Sequence, residues 1–99
     1  MVRMDASILR VNPNGDLTIY QVEELTKELV QWLVTAQEVS VDLSETEKMD
    51  TAGFQVIVSL KKSCAELGKK FEAVGIYDSV ENFINLYGYD FNDKQKGNA

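Results

Sequence analysis

The sequence predicts an α/β fold, a mixed sheet of about four strands packed with three or more helices. Three observations predict it. Short strand-like runs alternate with long stretches of helical periodicity, in the order β-β-α-β-α-β-α. Strand-helix-strand units imply parallel neighbours joined by crossovers, while a turn-rich segment near the start implies an antiparallel hairpin. The 99 residues are 44% apolar, with four Phe, four Tyr and one Trp, enough to supply a core. Residues 1–99 are therefore expected to form one domain, with its core over residues 7–90 and a frayed tail at 92–99.

Taken in order, residues 1–5 read as a short lead-in. Ser7-Ile8-Leu9-Arg10-Val11 reads as a strand. Asn12-Pro13-Asn14-Gly15 is dense turn chemistry, because proline cannot donate to a ladder and glycine accepts a positive φ. Asp16-Leu17-Thr18 is expected to return as a second strand and close the hairpin. Thr18 then reads as an N-cap with Gln21 as its capping-box partner. A helix over 20–35 follows, with Val22, Leu25, Leu29, Leu33 and Ala36 on one apolar stripe. Trp32 flanks that stripe and is expected as a core anchor.

Val39-Ser40-Val41-Asp42-Leu43 alternates as a strand with one covered face should. Residues 44–48 are polar and read as a solvated connection. A second helix is expected over 51–67, with Phe54, Ile57, Leu60 or Lys61, Cys64 and Leu67 along its apolar stripe and Gly68 at its C′ position. Cys64 on that stripe reads as a small buried hydrophobe. Residues 71–76 read as the last strand. Asp78 with Glu81, or Ser79 with Asn82, caps a third helix that runs to about Tyr87. Tyr89 and Phe91 are expected to pack back on it.

The residues around position 50 hold the candidate site. Asp50 is a good N-cap: its carboxylate can accept from the open N–H groups of a first helical turn, where the dipole also favours negative charge. Thr51 follows at the first helical position with its hydroxyl near the surface. Ala52 and Gly53 leave little bulk around it. A large side chain at Gly53 is therefore expected to harm partner binding more than folding.

Composition excludes several functions. Net charge is −6 with no basic cluster, which argues against nucleic acid and anionic membrane as partners. There is no histidine, which removes His-based catalysis, phosphohistidine transfer and the common metal ligand. No phosphate-binding glycine loop and no Cys/His metal spacing is present, so neither an enzyme nor a cofactor or metal is expected. The single cysteine fits a reducing compartment. No apolar run nears the ~20 residues of a spanning helix and no signal-peptide core opens the chain, so a cytoplasmic location without membrane insertion is expected.

Asp42-Leu43-Ser44, five further residues and then Asp50-Thr51-Ala52-Gly53 resemble the strand-loop-helix signature of STAS domains of the anti-sigma factor antagonist type. Met49 matches the apolar position before the acid. Gly15-Asp16-Leu17 resembles the segment before the first helix of that family, and Leu17-Thr18-Ile19-Tyr20 is similar to a run in stand-alone bacterial members, some associated with chemotaxis proteins. Thr18 stands where sporulation-type antagonists carry an acid, and Thr46 replaces a commonly apolar residue.

The resemblance implies a non-enzymatic binding module. It implies that Thr51 is phosphorylated by a GHKL-type serine/threonine kinase, often itself an anti-sigma factor, and dephosphorylated by a PP2C-like phosphatase. The implied docking surface comprises Asp50, Thr51, Ala52 and Gly53 with Ser44, Glu45, Thr46, Glu47, Asn14 and Gly15, gathered at one end of the sheet. Asp-Thr-Ala-Gly also resembles accessory STAS subunits of lipid-transport ABC systems, which dock to an ATPase. A constitutive adaptor of that kind is the alternative expectation.

Overall fold

A computed structural model describes residues 1–76, 78–86 and 88. The elements are β1 (Val2–Asp5), β2 (Ile8–Val11), β3 (Gly15–Leu17), α1 (Ile19–Leu33), β4 (Glu38–Asp42), β5 (Thr46–Met49), α2 (Thr51–Glu66), β6 (Lys70–Val74) and α3 (Asp78–Asn85). Four strands form one sheet in the order β1-β2-β4-β6. β1 and β2 are antiparallel, whereas β2–β4 and β4–β6 are parallel. The expected mixed α/β architecture with three helices is therefore what the chain adopts. The expectations for Tyr87, Tyr89, Phe91 and the 92–99 tail, and for the side chains capping α3, lie outside the described residues.

The hairpin is displaced from its expected place. It joins β1 to β2, with Asp5 opposite Ile8 and only Ala6 and Ser7 in the loop. The lead-in is thus a strand. Val2 and Met4 turn toward the core while Arg3 and Asp5 face solvent. Four residues of alternation are too few to stand out in a sequence. The loop also lacks glycine and proline, so the stronger turn signal at residues 12–15 drew the assignment away. Ala6 has φ 56°, a left-handed conformation that glycine adopts at less cost.

Residues 12–15 instead lead the chain out of the sheet. β3 does not pair with β2. It pairs in parallel with β5, forming a separate two-stranded ribbon. β5 lies inside the segment expected to be a solvated loop. Thr46 is fully buried there, and its hydroxyl donates to the Pro13 carbonyl at 2.8 Å. The Gly15 N–H donates to the Glu45 carbonyl at 2.8 Å, closing the start of the ribbon. The sequence Thr-Glu-Lys-Met has no apolar alternation to betray a strand, because its partner is one short strand rather than the main sheet.

One apolar cluster joins the layers. Leu9, Val11, Val39, Val41 and Ala73 come from the sheet; Leu25 and Leu29 from α1; Phe54, Ile57, Leu60 and Cys64 from α2; Val80 and Ile84 from α3. Phe54 meets Phe83 edge-to-face at 6.1 Å, linking α2 to α3. β4 is the inner strand between β2 and β6, and Val39, Ser40 and Val41 are all buried. Ser40 is a small side chain set in register between Arg10 and Glu72, on the face that also carries the exposed Arg3, so β4 keeps the one covered face that the alternation implied. Trp32 is not a core anchor; it lies on the exposed side of α1. Leu67 is also exposed, because α2 ends at Glu66 and Leu67 is already its C-cap. Gly68 follows with φ 70°, and the Lys69 N–H reaches back to the Cys64 carbonyl at 2.8 Å.

Cys64 is fully buried, and burial pushes its thiol above the usual range. A thiol reagent should label native protein slowly and labelling should become fast in denaturant; fast native labelling would place α2 in another rotation. Ala6→Gly should raise stability by roughly 0.5–1 kcal/mol in urea melts, because it relieves a positive φ.

Candidate functional site

The site is built where the ribbon ends and both long helices begin. Leu17 and Met49 are register partners at the last rung of β3 and β5. Asp50 comes next, in an extended conformation at φ −107° and ψ −176°. One carboxylate oxygen, Oδ1, accepts from the Gly53 N–H at 2.9 Å and so caps α2. The other, Oδ2, accepts from the Ile19 N–H at 3.0 Å, the first residue of α1. A single side chain thus joins two helix starts. The Gly53 N–H holds the Asp50 carboxyl below its usual value, the Ile19 N–H adds to this, and partial desolvation opposes both.

α1 has its own cap as expected. The Thr18 N–H donates to Gln21 Oε1 at 2.9 Å, and the Thr18 hydroxyl accepts from the Tyr20 N–H at 3.4 Å. Asp50 supplies an acceptor this box does not provide, for Ile19. No local pattern in the sequence shows that longer-range cap.

Gly53 is buried against β3. A Cβ there would overlap the carbonyl oxygen of Leu17, a backbone atom that cannot turn aside. The same carbonyl accepts the Asp50 N–H at 3.4 Å. The glycine is required by this close approach inside the molecule. The expectation that bulk at Gly53 harms binding before folding is corrected accordingly.

Thr51 is exposed at the first position of α2, and Ala52 is half-buried beside it. Glu45, Glu47 and Asn14 are exposed, Ser44 and Gly15 half-buried, and Thr46 buried. Ser44 is held by Asp42, whose Oδ1 accepts its N–H at 2.9 Å. These residues follow the carboxyl ends of the parallel strands β2 and β4, spread along the ribbon. Gly15 pairs with Thr46 at one end of the ribbon, and Leu17 with Met49 at the other. At ~3.3 Å per strand residue, Asn14 stands about 10 Å from the Leu17–Met49 rung that precedes α2. Glu47 falls at the register shift between Gly15 and Asp16, where β5 carries an extra residue.

Residues 1–91 match the family model described as Mlab, STAS domain. The chain belongs to the STAS-domain family. Solved structures agree with that fold. The anti-sigma factor antagonist SpoIIAA in its unphosphorylated form is similar with a TM-score of 0.79, over 89% of this chain and 79% of that one, at 11% identity. A putative anti-sigma factor antagonist from Thermotoga maritima has a TM-score of 0.79 over 89% and 77% of the two chains, at 22% identity. A sulfate transporter family protein from Wolinella succinogenes has 0.72 over 87% and 70%, at 16% identity. At these identities the likeness is one of fold. Among the described residues of this STAS domain, no cluster of three or more His, Cys, Asp or Glu could hold a metal, and no helix is long and apolar enough to cross a membrane.

Gly53→Ala should cost at least about 2 kcal/mol, because the backbone of β3 must move. Its melting temperature should fall by roughly 8–16 °C. Gly53→Leu should lose folding and binding together. Because Asp50 has a folded pKa below the ordinary 3.8, its contribution to stability is present above that value and is lost as pH falls through the lower folded one. Asp50→Asn should therefore be less stable than wild type at neutral pH, with the gap narrowing below pH 3.8 in acid titrations.

Proposed function

We propose that this STAS domain is a non-catalytic docking module of the cytoplasm, switched by phosphorylation of Thr51. The observation that carries the reading is the pairing of an exposed threonine with a pinned carboxylate. Thr51 opens α2 at the surface, while both oxygens of Asp50 are engaged by helix N–H groups. A phosphate adds about −1.5 to −2 charges at pH 7. At a helix N-terminus that charge is favoured locally by the dipole. Asp50 cannot swing away without uncapping α2 and releasing the Ile19 N–H, so the added charge accumulates beside an existing one. The fold stays and the docking surface changes.

In this reading the partner contacts Asp50, Thr51 and Ala52 directly. It reaches along the ribbon to Glu47, Glu45, Ser44, Asn14 and Gly15. Thr46 and Gly53 shape that surface from within. The partners are a GHKL-type kinase that binds the unmodified form and a PP2C-like phosphatase that restores it. The family model's Mlab description favours a second reading, a constitutive adaptor that docks to the ATPase of a lipid-transport ABC system through the same surface.

The test is to incubate the protein with a GHKL-type kinase encoded beside it and ATP, then map the modified residue by mass spectrometry. Thr51 should carry the phosphate. Thr51→Ala should bind the kinase and stay unmodified, and Thr51→Glu should bind at least about tenfold more weakly with an unchanged melting temperature. No phosphate on Thr51 together with wild-type binding by Thr51→Glu would remove the switch and leave the adaptor.

A further inference from the structure

Both long helices begin without an acid in the first turn, although the dipole favours one there. α1 opens instead on Ile19 and Tyr20, which are 64% and 89% exposed and take no part in the core. The Ile19 N–H is held by Asp50, and Val22 of the same turn lines one groove with Ala52. The two first turns therefore stand side by side. Side chains of a helix lean toward its N-terminus, so Ile19 and Tyr20 lean toward the end of the molecule where Thr51 opens α2.

Charges border this apolar step. Glu23 and Glu24 follow Tyr20 at the helical spacings of three and four, which sets them on its flank. Asp16 and Glu47 stand exposed on the ribbon. Lys27 pairs with Glu23 at 3.7 Å, and Lys48 is the register partner of Asp16. Among the described residues, no ion pair offsets Glu24, Glu47 or Asp50.

We propose that Ile19 and Tyr20 anchor the partner that reads Thr51, and that this partner is a protein presenting an apolar pocket rimmed by Lys or Arg. The proposal rests on the docking reading of the Thr51 surface and adds to it the side chains that supply affinity. An uncharged centre inside a charged border is the layout of an interface patch, and tyrosine is among the side chains enriched where binding energy concentrates. The border decides the occupant. A second copy would bring the same acids against these, and nucleic acid or an anionic membrane would meet them with phosphate. A cationic protein rim gains from them. A phosphate on Thr51 sets bulk and tightly held water beside the anchors, so it lifts the pocket off them even where the rim is cationic.

Calorimetric titration of the full chain with the GHKL-type kinase encoded beside it, and with the ATPase of a lipid-transport ABC system, tests the proposal. Tyr20→Ala should weaken binding of whichever protein the wild type binds by about tenfold or more, and Ile19→Ala by about threefold or more. Melting temperatures should not change, since neither side chain is in the core. Tyr20→Phe should bind within about threefold of wild type, because the ring fills the pocket. Glu24→Lys should weaken binding in about 0.05 M salt, and the difference should shrink in about 0.5 M. Leu86→Ala, at an exposed apolar residue beyond α3, should change nothing. Wild-type affinity in Tyr20→Ala would overturn the proposal, and the Thr51 switch would still stand if Thr51→Glu weakened binding. Loss of binding in Tyr20→Ala beside full binding by Thr51→Glu would keep the anchor and remove the switch. Binding indifferent to both salt and Glu24→Lys would overturn the cationic rim. A dimer of the chain alone in ultracentrifugation, abolished by Tyr20→Ala, would give the anchors to a second copy and overturn the proposal. A wild type that binds neither protein would overturn the docking reading and this proposal together.

Discussion

The Asp50 carboxylate holds the beginnings of α1 and α2 together, one oxygen to each helix. Residues 19 and 50 are far apart in the chain, so this contact is tertiary, although each half looks like an ordinary cap. It is an ionised acceptor serving two N–H donors, the stronger class of hydrogen bond. It also sets a distance: the helices cannot separate at their N-terminal ends without losing a cap. The backbone reinforces it, because the Leu17 carbonyl receives the Asp50 N–H and leaves room only for a glycine at position 53. Acid, glycine and β3 thus form one joint, and the exposed threonine between them is positioned by that joint.

The same joint suits the docking role proposed for this stretch. Rigid caps fix where Thr51 stands relative to the ribbon, so a partner can read the helix start and the ribbon as one shape. The surface proposed for docking follows the ribbon beyond the carboxyl ends of β2 and β4. It runs along β5, with a bulge at Glu47 partway. The family membership and the shared fold are consistent with many binding partners, and the chemistry around Thr51 is what narrows the choice.

Much of this was legible in the sequence. The Thr18–Gln21 capping box, the apolar stripes, Gly68 as a helix stop and the Asp50 cap all rest on local patterns, and local patterns survive folding. What escaped depends on distant partners. β1 is short, with a loop built on alanine instead of glycine. β5 is polar because it pairs at an edge, and its one buried residue, Thr46, is satisfied by a proline carbonyl far away in the chain. Trp32 sits next to the stripe in sequence, yet the sheet covers only the narrower arc centred on Leu25 and Leu29. The second role of Asp50 has no signature near it, since nothing about Ile19 announces a missing acceptor.

The separate ribbon bears on how the chain reaches its native state. Its two strands begin at residues 15 and 46, so their pairing must close a long loop that contains all of α1. The parallel pairings of β2 with β4 and β4 with β6 also span whole helices. Such non-local contacts slow folding, since chain entropy is lost before they form. The β1–β2 hairpin and the two long helices can begin early from local contacts. The joint at Asp50 can close only after the ribbon has brought residue 50 beside residue 19. The surface around Thr51 therefore assembles late, and a chain still emerging from the ribosome does not present it until α2 has followed β5 into place.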